Sequence, residues 1–147
     1  MHTRPIEPRD FEPFDRLTRK STFVGDPSAE QMRRFFELVT EEGANLVYLG
    51  AFVEGELAGL VSVTFGQSSY KLAPFAWCDD LYVDEGYRRR GVAQRLMRHL
   101  RQLAEERGCS NVLLGVGLAE TGATQLYESL GFTDMGCRLM TWPIESA

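Results

Sequence analysis

Leu81-Tyr82-Val83-Asp84-Glu85-Gly86-Tyr87-Arg88-Arg89-Arg90-Gly91-Val92-Ala93-Gln94 is the segment whose reading decides the fold. An apolar strand runs into a turn, and the turn opens a helix. Downstream, Val92, Leu96, Leu100 and Leu103 fall at i, i+4, i+8 and i+11, with Ala93, Met97 and Ala104 beside them. This spacing predicts an amphipathic helix of about four turns, stopped by Gly108. The first amides of such a helix have no internal partner and sit at the positive end of its dipole, so they suit a phosphate. Gly91 has no Cβ and Ala93 has the smallest one, which lets a diphosphate approach the backbone. A solvated helix face with an ordinary glycine near its start is the plain alternative.

Charge favours the anion-binding reading. Gly86 to Ala104 holds Arg88, Arg89, Arg90, Arg95, Arg98 and Arg101 and no acidic residue. The chain as a whole has a formal net charge of −5, so the remainder, 10 basic against 21 acidic residues, carries −11. Such segregation suggests a local anionic ligand and argues against nucleic acid as a partner. G-x-x-x-x-G-K-[ST] does not occur, and the Gly115-x-Gly117 run meets Glu120 where the dinucleotide fingerprint needs a third glycine.

Outward from this segment the chain alternates element types. Upstream, Thr3–Ile6 reads as a short strand. A helix from Pro8 to about Lys20 presents Phe11, Phe14, Leu17 and Thr18 on one face. Ser28 is a suitable N-cap for a second helix with Met32, Phe35, Phe36 and Val39 at helical spacing, ended by Gly43. Asn45–Val53, Leu57–Phe65 and Pro74–Val83 read as an antiparallel meander, turning first at Glu54-Gly55-Glu56. Downstream come a strand at Asn111–Val116, a helix through Ala123, Leu126, Tyr127 and Leu130 ended by Gly131, and a closing hairpin over Phe132–Trp142. The order β-α-α-β-β-β-α-β-α-β-β is mixed α/β (α+β) around one central sheet.

The chain has 147 residues, with 44% hydrophobic, 25% charged and 11% aromatic residues. That fits one domain, 1–147, able to bury roughly 70% of its unfolded surface without metal or disulfide staples. No apolar run approaches the ~20 residues of a membrane span, and no apolar signal segment follows Met1, so the cytoplasm is the expected location. Cys78, Cys109 and Cys137 sit among apolar neighbours with no C-x-x-C spacing, which reads as reduced core thiols. His99 lies on an arginine-flanked helix face far in sequence from His2, so no metal is expected.

Arg88-x-x-Gly91-x-Ala93 resembles the (Q/R)-x-x-G-x-(G/A) motif of the GNAT acyl-CoA N-acyltransferases. Leu126-Tyr127-Glu128-Ser129-Leu130-Gly131-Phe132 resembles that family's second signature, L-Y-x-x-x-G-F. The resemblance is sharp over Pro74–Phe132 and only topological before it. It implies a mostly antiparallel sheet, splayed between its fourth and fifth strands and flanked by helices on both faces. Coenzyme A would lie in the gap. Backbone groups of Leu81 and Val83 would pair with its pantetheine arm, and amides of Arg89, Arg90, Gly91, Val92, Ala93 and Gln94 would surround its diphosphate, with Arg88 opening the motif.

The implied reaction moves an acetyl group from acetyl-CoA to an amine by direct attack. The amine must shed a proton, because an ammonium of pKa ~10 is no nucleophile. The thioester oxygen needs a donor, which the resemblance assigns to a backbone N–H at Tyr82 or Val83. Tyr127 matches the family's general acid for the departing thiolate; a core aromatic is its plain alternative. Trp77-Cys78-Asp79-Asp80-Leu81-Tyr82-Val83 places two carboxylates in an apolar strand, where they point to opposite faces, one toward the acceptor amine and the other free to anchor a loop. It resembles the E-D-L-Y-V stretch of diamine acetyltransferase-like members, with Asp79 as base or holder of a water relay and Asp80 as acceptor-binding or structural. Many members have Asn seven residues before the tyrosine; here Glu120 stands there, as a cofactor contact, a base or a helix cap. Gly115 and Gly117 near the fifth strand make room for acyl group or acceptor, or mark a bulge.

A small cationic amine is thus the expected acceptor. A protein or peptide amine, or a non-catalytic acyl-CoA-binding module, is the alternative. Exposed strand edges and the closing hairpin could support a homodimer.

Overall fold

A computed structural model describes residues 1–21 and 24–145. It contains two compact units, Met1–Leu114 and Gly115–Ala147. The first unit is built on a five-stranded sheet of β1 (His2–Pro5), β2 (Leu46–Val53), β3 (Glu56–Ser68), β4 (Ala73–Val83) and β5 (Val112–Leu114), ordered β1-β2-β3-β4-β5. The first four strands are antiparallel, and β5 joins β4 in parallel. Val53 pairs with Glu56 across a two-residue turn in which Glu54 (φ 52°) and Gly55 (φ 82°) are both left-handed. That backbone twist matches the twist of the flanking strands.

A parallel step needs a crossover, and α3 (Val92–Glu106) supplies it between β4 and β5. Its buried face is Val92, Leu96, Met97, Leu100 and Ala104, the predicted stripe. Gly108 (φ 74°) follows its last turn. At Gly59 on β3 a Cβ would meet the Tyr82 carbonyl at 3.0 Å and the Val92 and Leu96 side chains at 3.0 and 3.2 Å. The absent side chain lets α3 press against the sheet where β4 ends.

On the other face lie α1 (Phe11–Ser21), preceded by a 3₁₀ turn at Pro8–Asp10, and α2 (Ala29–Thr40). Their apolar stripes meet the sheet in a cluster that includes Phe14, Leu17, Met32, Phe36, Tyr48 and Leu60. Ser28 caps α2 reciprocally with Gln31, and the helix stops at Thr40, ahead of Gly43. The β1–α1 junction is pinned by Arg4, whose guanidinium donates to both oxygens of buried Asp10 at 2.7 and 2.9 Å.

β5 is shorter than expected. It ends at Leu114 opposite Cys78, so Gly115 and Gly117 lie beyond the strand rather than within it. β4 continues from Asp79 to Val83 with no strand on that edge, among the described residues. The mixed, mostly antiparallel sheet with helices on both faces is as the sequence implied.

In the second unit α4 (Thr121–Ser129) ends in a Schellman motif. Gly131 (φ 103°) donates to the Glu128 carbonyl at 3.0 Å, and Phe132 donates to the Tyr127 carbonyl at 3.0 Å. The Tyr127 and Phe132 rings meet edge-on at 5.6 Å, the apolar contact that accompanies this cap. The expected hairpin over Phe132–Trp142 is absent: residues 132–145 contain no strand, and Met135, Leu139, Met140 and Trp142 are exposed. Loose alternation marks a chain that suits extension but supplies no partner strand, and Asp134 turns the backbone by accepting the Gly136 N–H at 2.7 Å. The core reading of the cysteines holds for Cys78 alone. Cys109 is half-buried just past the end of α3, and Cys137 is exposed on the strandless tail.

Candidate active site

The turn after β4 has the backbone needed to receive an anion. Gly91 is the N-cap of α3 with φ +77°, a left-handed conformation that excludes most side chains. The first bond of the helix is Arg95 N–H to the Gly91 carbonyl at 3.1 Å, so the amides of Val92, Ala93 and Gln94 precede it. A Cβ on Gly91 would meet nothing within 4 Å, so the space in front of the backbone is open. Arg89 is also left-handed (φ 62°), a second sharp bend in the turn two residues before Gly91.

The arginines divide by role. Arg88 donates through Nε to the Val83 carbonyl at 2.9 Å, closing the turn onto the end of β4. Arg89 and Arg90 are exposed, with the Arg90 guanidinium 5.5 Å from the Tyr87 ring centre. A short-side-chain corner, leading amides and exposed positive charge together suit an anionic phosphate group. Leu81 and Val83 stand on the part of β4 that runs past β5.

The carboxylates occupy an irregularity in β4. Val61 pairs with Leu81 and Val63 with Cys78, so Ser62 alone faces both Asp79 and Asp80. This is a β-bulge, and it overturns the expectation of opposite faces. Thr64 Oγ1 donates to Asp79 Oδ2 at 2.7 Å. Asp80 lines a small cavity of about 10 Å³ with Leu17, Thr18, Tyr48, Leu60 and Tyr82. Leu60, Ser62 and Thr64 alternate onto the α1 face of β3, so both carboxylates serve that face.

The two differ in setting. Asp79 is exposed, whereas Asp80 is half-buried, and burial and then the charge of Asp79 raise its pKa. Burial and the same two carboxylates push Tyr48 above the usual phenol range and Cys78 up to about 12. Cys78 therefore stays a thiol at neutral pH. Three polar partners escaped the sequence reading: Tyr48, Ser62 and Thr64. The signal available was Ser62-x-Thr64, two hydroxyls in an otherwise apolar strand.

Tyr127 and Glu120 belong to the second unit. Tyr127 is half-buried on α4, and the signature around it doubles as the helix-ending cap described above. Glu120 stands at the N-cap of α4, where its carbonyl accepts the Thr124 N–H at 3.0 Å and its side chain makes no capping bond. Among the described residues no group of three or more His, Cys, Asp or Glu could hold a metal ion, and no helix is long and apolar enough to cross a membrane.

Comparison with known proteins agrees with this geometry. Residues 11–132 match the acetyltransferase (GNAT) family profile, further toward the N-terminus than the two motifs reach. Human N-acetyltransferase 8 is 41% identical over 56 residues, covering 38% of this chain and 25% of that protein. Streptothricin acetyltransferase of Streptomyces lavendulae is 28% identical over 96 residues, covering 65% of this chain and 49% of that protein. The chain thus spans between a quarter and a half of these relatives' lengths. A crystal structure of a probable acetyltransferase superposes over the whole of both chains with a TM-score of 0.85 at 26% identity. A family match running from the first residue of α1 to the Phe132 that seals the cap of α4 makes this chain a member of the acetyltransferase (GNAT) family.

Proposed function

We propose that the chain is a single acyltransferase domain that moves an acetyl group from acetyl-CoA to a primary amine of a small cationic acceptor. The observation that carries this is the layout of β4. Two carboxylates stand on one face of the strand, and the same strand ends at the glycine-capped start of α3.

Acetyl-CoA supplies the activated acyl group. The amides from Arg89 to Gln94 hold its diphosphate, and backbone groups of Leu81 and Val83 orient its pantetheine arm. A backbone N–H at Tyr82 or Val83 donates to the carbonyl on which charge develops. Asp79 takes the amine's proton directly or through a water, and Asp80 holds the ammonium beforehand. Tyr127 protonates the departing thiolate, and Glu120 contacts the cofactor arm. No metal enters this scheme.

The likeness of Asp79-Asp80-Leu81-Tyr82-Val83 to diamine acetyltransferase-like members supports a cationic acceptor. The name of streptothricin acetyltransferase likewise supports a small molecule. The net −11 outside Gly86–Ala104 attracts cations and repels nucleic acid, and the cytoplasm, where acetyl-CoA is made, suits the reaction.

The test is free-thiol release from acetyl-CoA across a panel of polyamines, aminoglycosides, amino acids and peptides. Release with small polycations and not with peptides is the expected result. Release with peptides alone would move the acceptor to protein amines. Tight coenzyme A binding without release would make the chain a binding module. Sedimentation of the same sample reports whether it is a homodimer.

A further inference from the structure

Ser62 is only 1% exposed, in the middle of β3, yet it is polar and stands opposite two residues of β4 at once. A bulge forfeits one ladder bond, and the amide left over must find another acceptor. Ser62 Oγ is that acceptor, taking the Asp80 N–H at 3.1 Å. On its other side Ser62 pairs across the sheet with Tyr48 of β2. Tyr48 is itself fixed by edge-on packing against Phe14, ring centres 4.9 Å apart. Ser62 thus stands between the aromatic core and the backbone of Asp80.

The neighbouring hydroxyl acts differently. Thr64 binds the Asp79 carboxylate itself, whereas Ser62 binds only the backbone of Asp80 and leaves that carboxylate to the cavity. The ionisable groups around Asp80 are Asp79 and Tyr82 on its own strand, Tyr48 from β2, and Cys78 on the opposite face. From β3 the neighbours are Leu60 and Ser62. The α1 side contributes Leu17, Thr18, Ser21 and Val24, none of them ionisable. No cation of the described residues lining the cavity balances Asp80, so an incoming ammonium would be its counter-charge.

We infer that Ser62 is a positioning residue of the acceptor site: by accepting the Asp80 amide it holds the β4 bulge, keeping the Asp80 carboxylate toward the α1-side cavity next to Asp79, where it seats the acceptor's ammonium. This rests on the transfer of an acyl group to a cationic amine proposed above. It is a statement about this chain's own β3 hydroxyl, separate from the cofactor corner at Gly91.

The experiment compares the parent with Ser62→Ala and Ser62→Thr by two readouts. In steady-state acetyl transfer, Ser62→Ala should lower kcat/KM for the amine by on the order of tenfold to a hundredfold, mainly through KM, and move the acidic limb of the pH profile. KM for acetyl-CoA should not change. Ser62→Thr retains the hydroxyl and should recover much of the loss. The second readout is a carbon-13 titration of the Asp80 carboxyl group. Asp80 should titrate above an ordinary carboxyl in the parent and nearer the ordinary value in Ser62→Ala. Parent-like amine KM together with an unchanged Asp80 titration in Ser62→Ala would overturn the inference. If the parent itself releases no thiol with any amine, the catalytic reading fails, and an unchanged Asp80 titration would still sink the role of Ser62 independently.

Discussion

At Gly91 a single backbone angle connects sequence to the proposed diphosphate site. Its φ of +77° is left-handed, and the position beyond its Cα is open. Gly91→Val is therefore accommodated in space but strained in conformation, with an expected loss of roughly 1–2 kcal/mol in stability. The branched side chain would stand over the leading amides of α3. Calorimetric titration should find acetyl-CoA binding abolished while circular dichroism stays native. Tyr127 is the proposed proton donor to the departing thiolate. The Schellman cap uses its backbone carbonyl and its ring, so Tyr127→Phe leaves the cap whole and removes only the hydroxyl. A fall in kcat of roughly 10²–10⁴ with unchanged coenzyme affinity is expected from loss of the proton donor. Both residues were legible in the sequence because their spacings repeat physical devices, a glycine-opened helix and a glycine-closed one. Ser62 and Tyr48 were not legible, since a serine within an apolar run has meaning only once its cross-strand partner is known.

Among the elements, the β3–β4 hairpin determines the site. Its bulge puts Asp79 and Asp80 on one face, and α3 packs against its far end at Gly59. Gly59→Ala would force a methyl to within 3.0 Å of the Tyr82 carbonyl and of Val92. Overpacking of this kind destabilises by about 1–3 kcal/mol, and here it should also displace the start of α3 from the end of β4. Urea melts should report the stability change, and a weakened acetyl-CoA affinity in the same variant would show that this contact sets the cofactor corner. The periodicity of α3 and the alternation of β2 and β3 were readable directly. The bulge was not: period-two reasoning assigns adjacent carboxylates to opposite faces, and one extra residue cancels that assignment.

Across the whole molecule, charge and pH matter most. Arg4 holds the Asp10 carboxyl below its usual range through paired hydrogen bonds, against the opposing effect of burial. A depressed folded pKa means that this stabilisation is complete above the unfolded value of about 3.9 and is lost as pH falls through the folded value. Urea denaturation of the parent should therefore show lower stability at pH 3 than at pH 7. Asp10→Asn should lose about 2 kcal/mol at pH 7 and show a smaller further loss on acidification. A variant with the parent's acid sensitivity would remove Asp10 from this account.

Composition, hydrophobic period and glycine placement by themselves determined the class of fold, the order of elements from β1 to α4, and the two corners where a helix begins or ends beside the proposed chemistry. These are local matters, decided by residues a few positions apart in the chain. Only the tertiary structure decided that β5 stops at Leu114, that the tail from Phe132 to Glu145 forms no strand, and that Asp79 and Asp80 share a face beneath Ser62 and Thr64. The reason is that strand pairing, register and bulges belong to two chain segments at once, and neither segment alone encodes what the other will place opposite it.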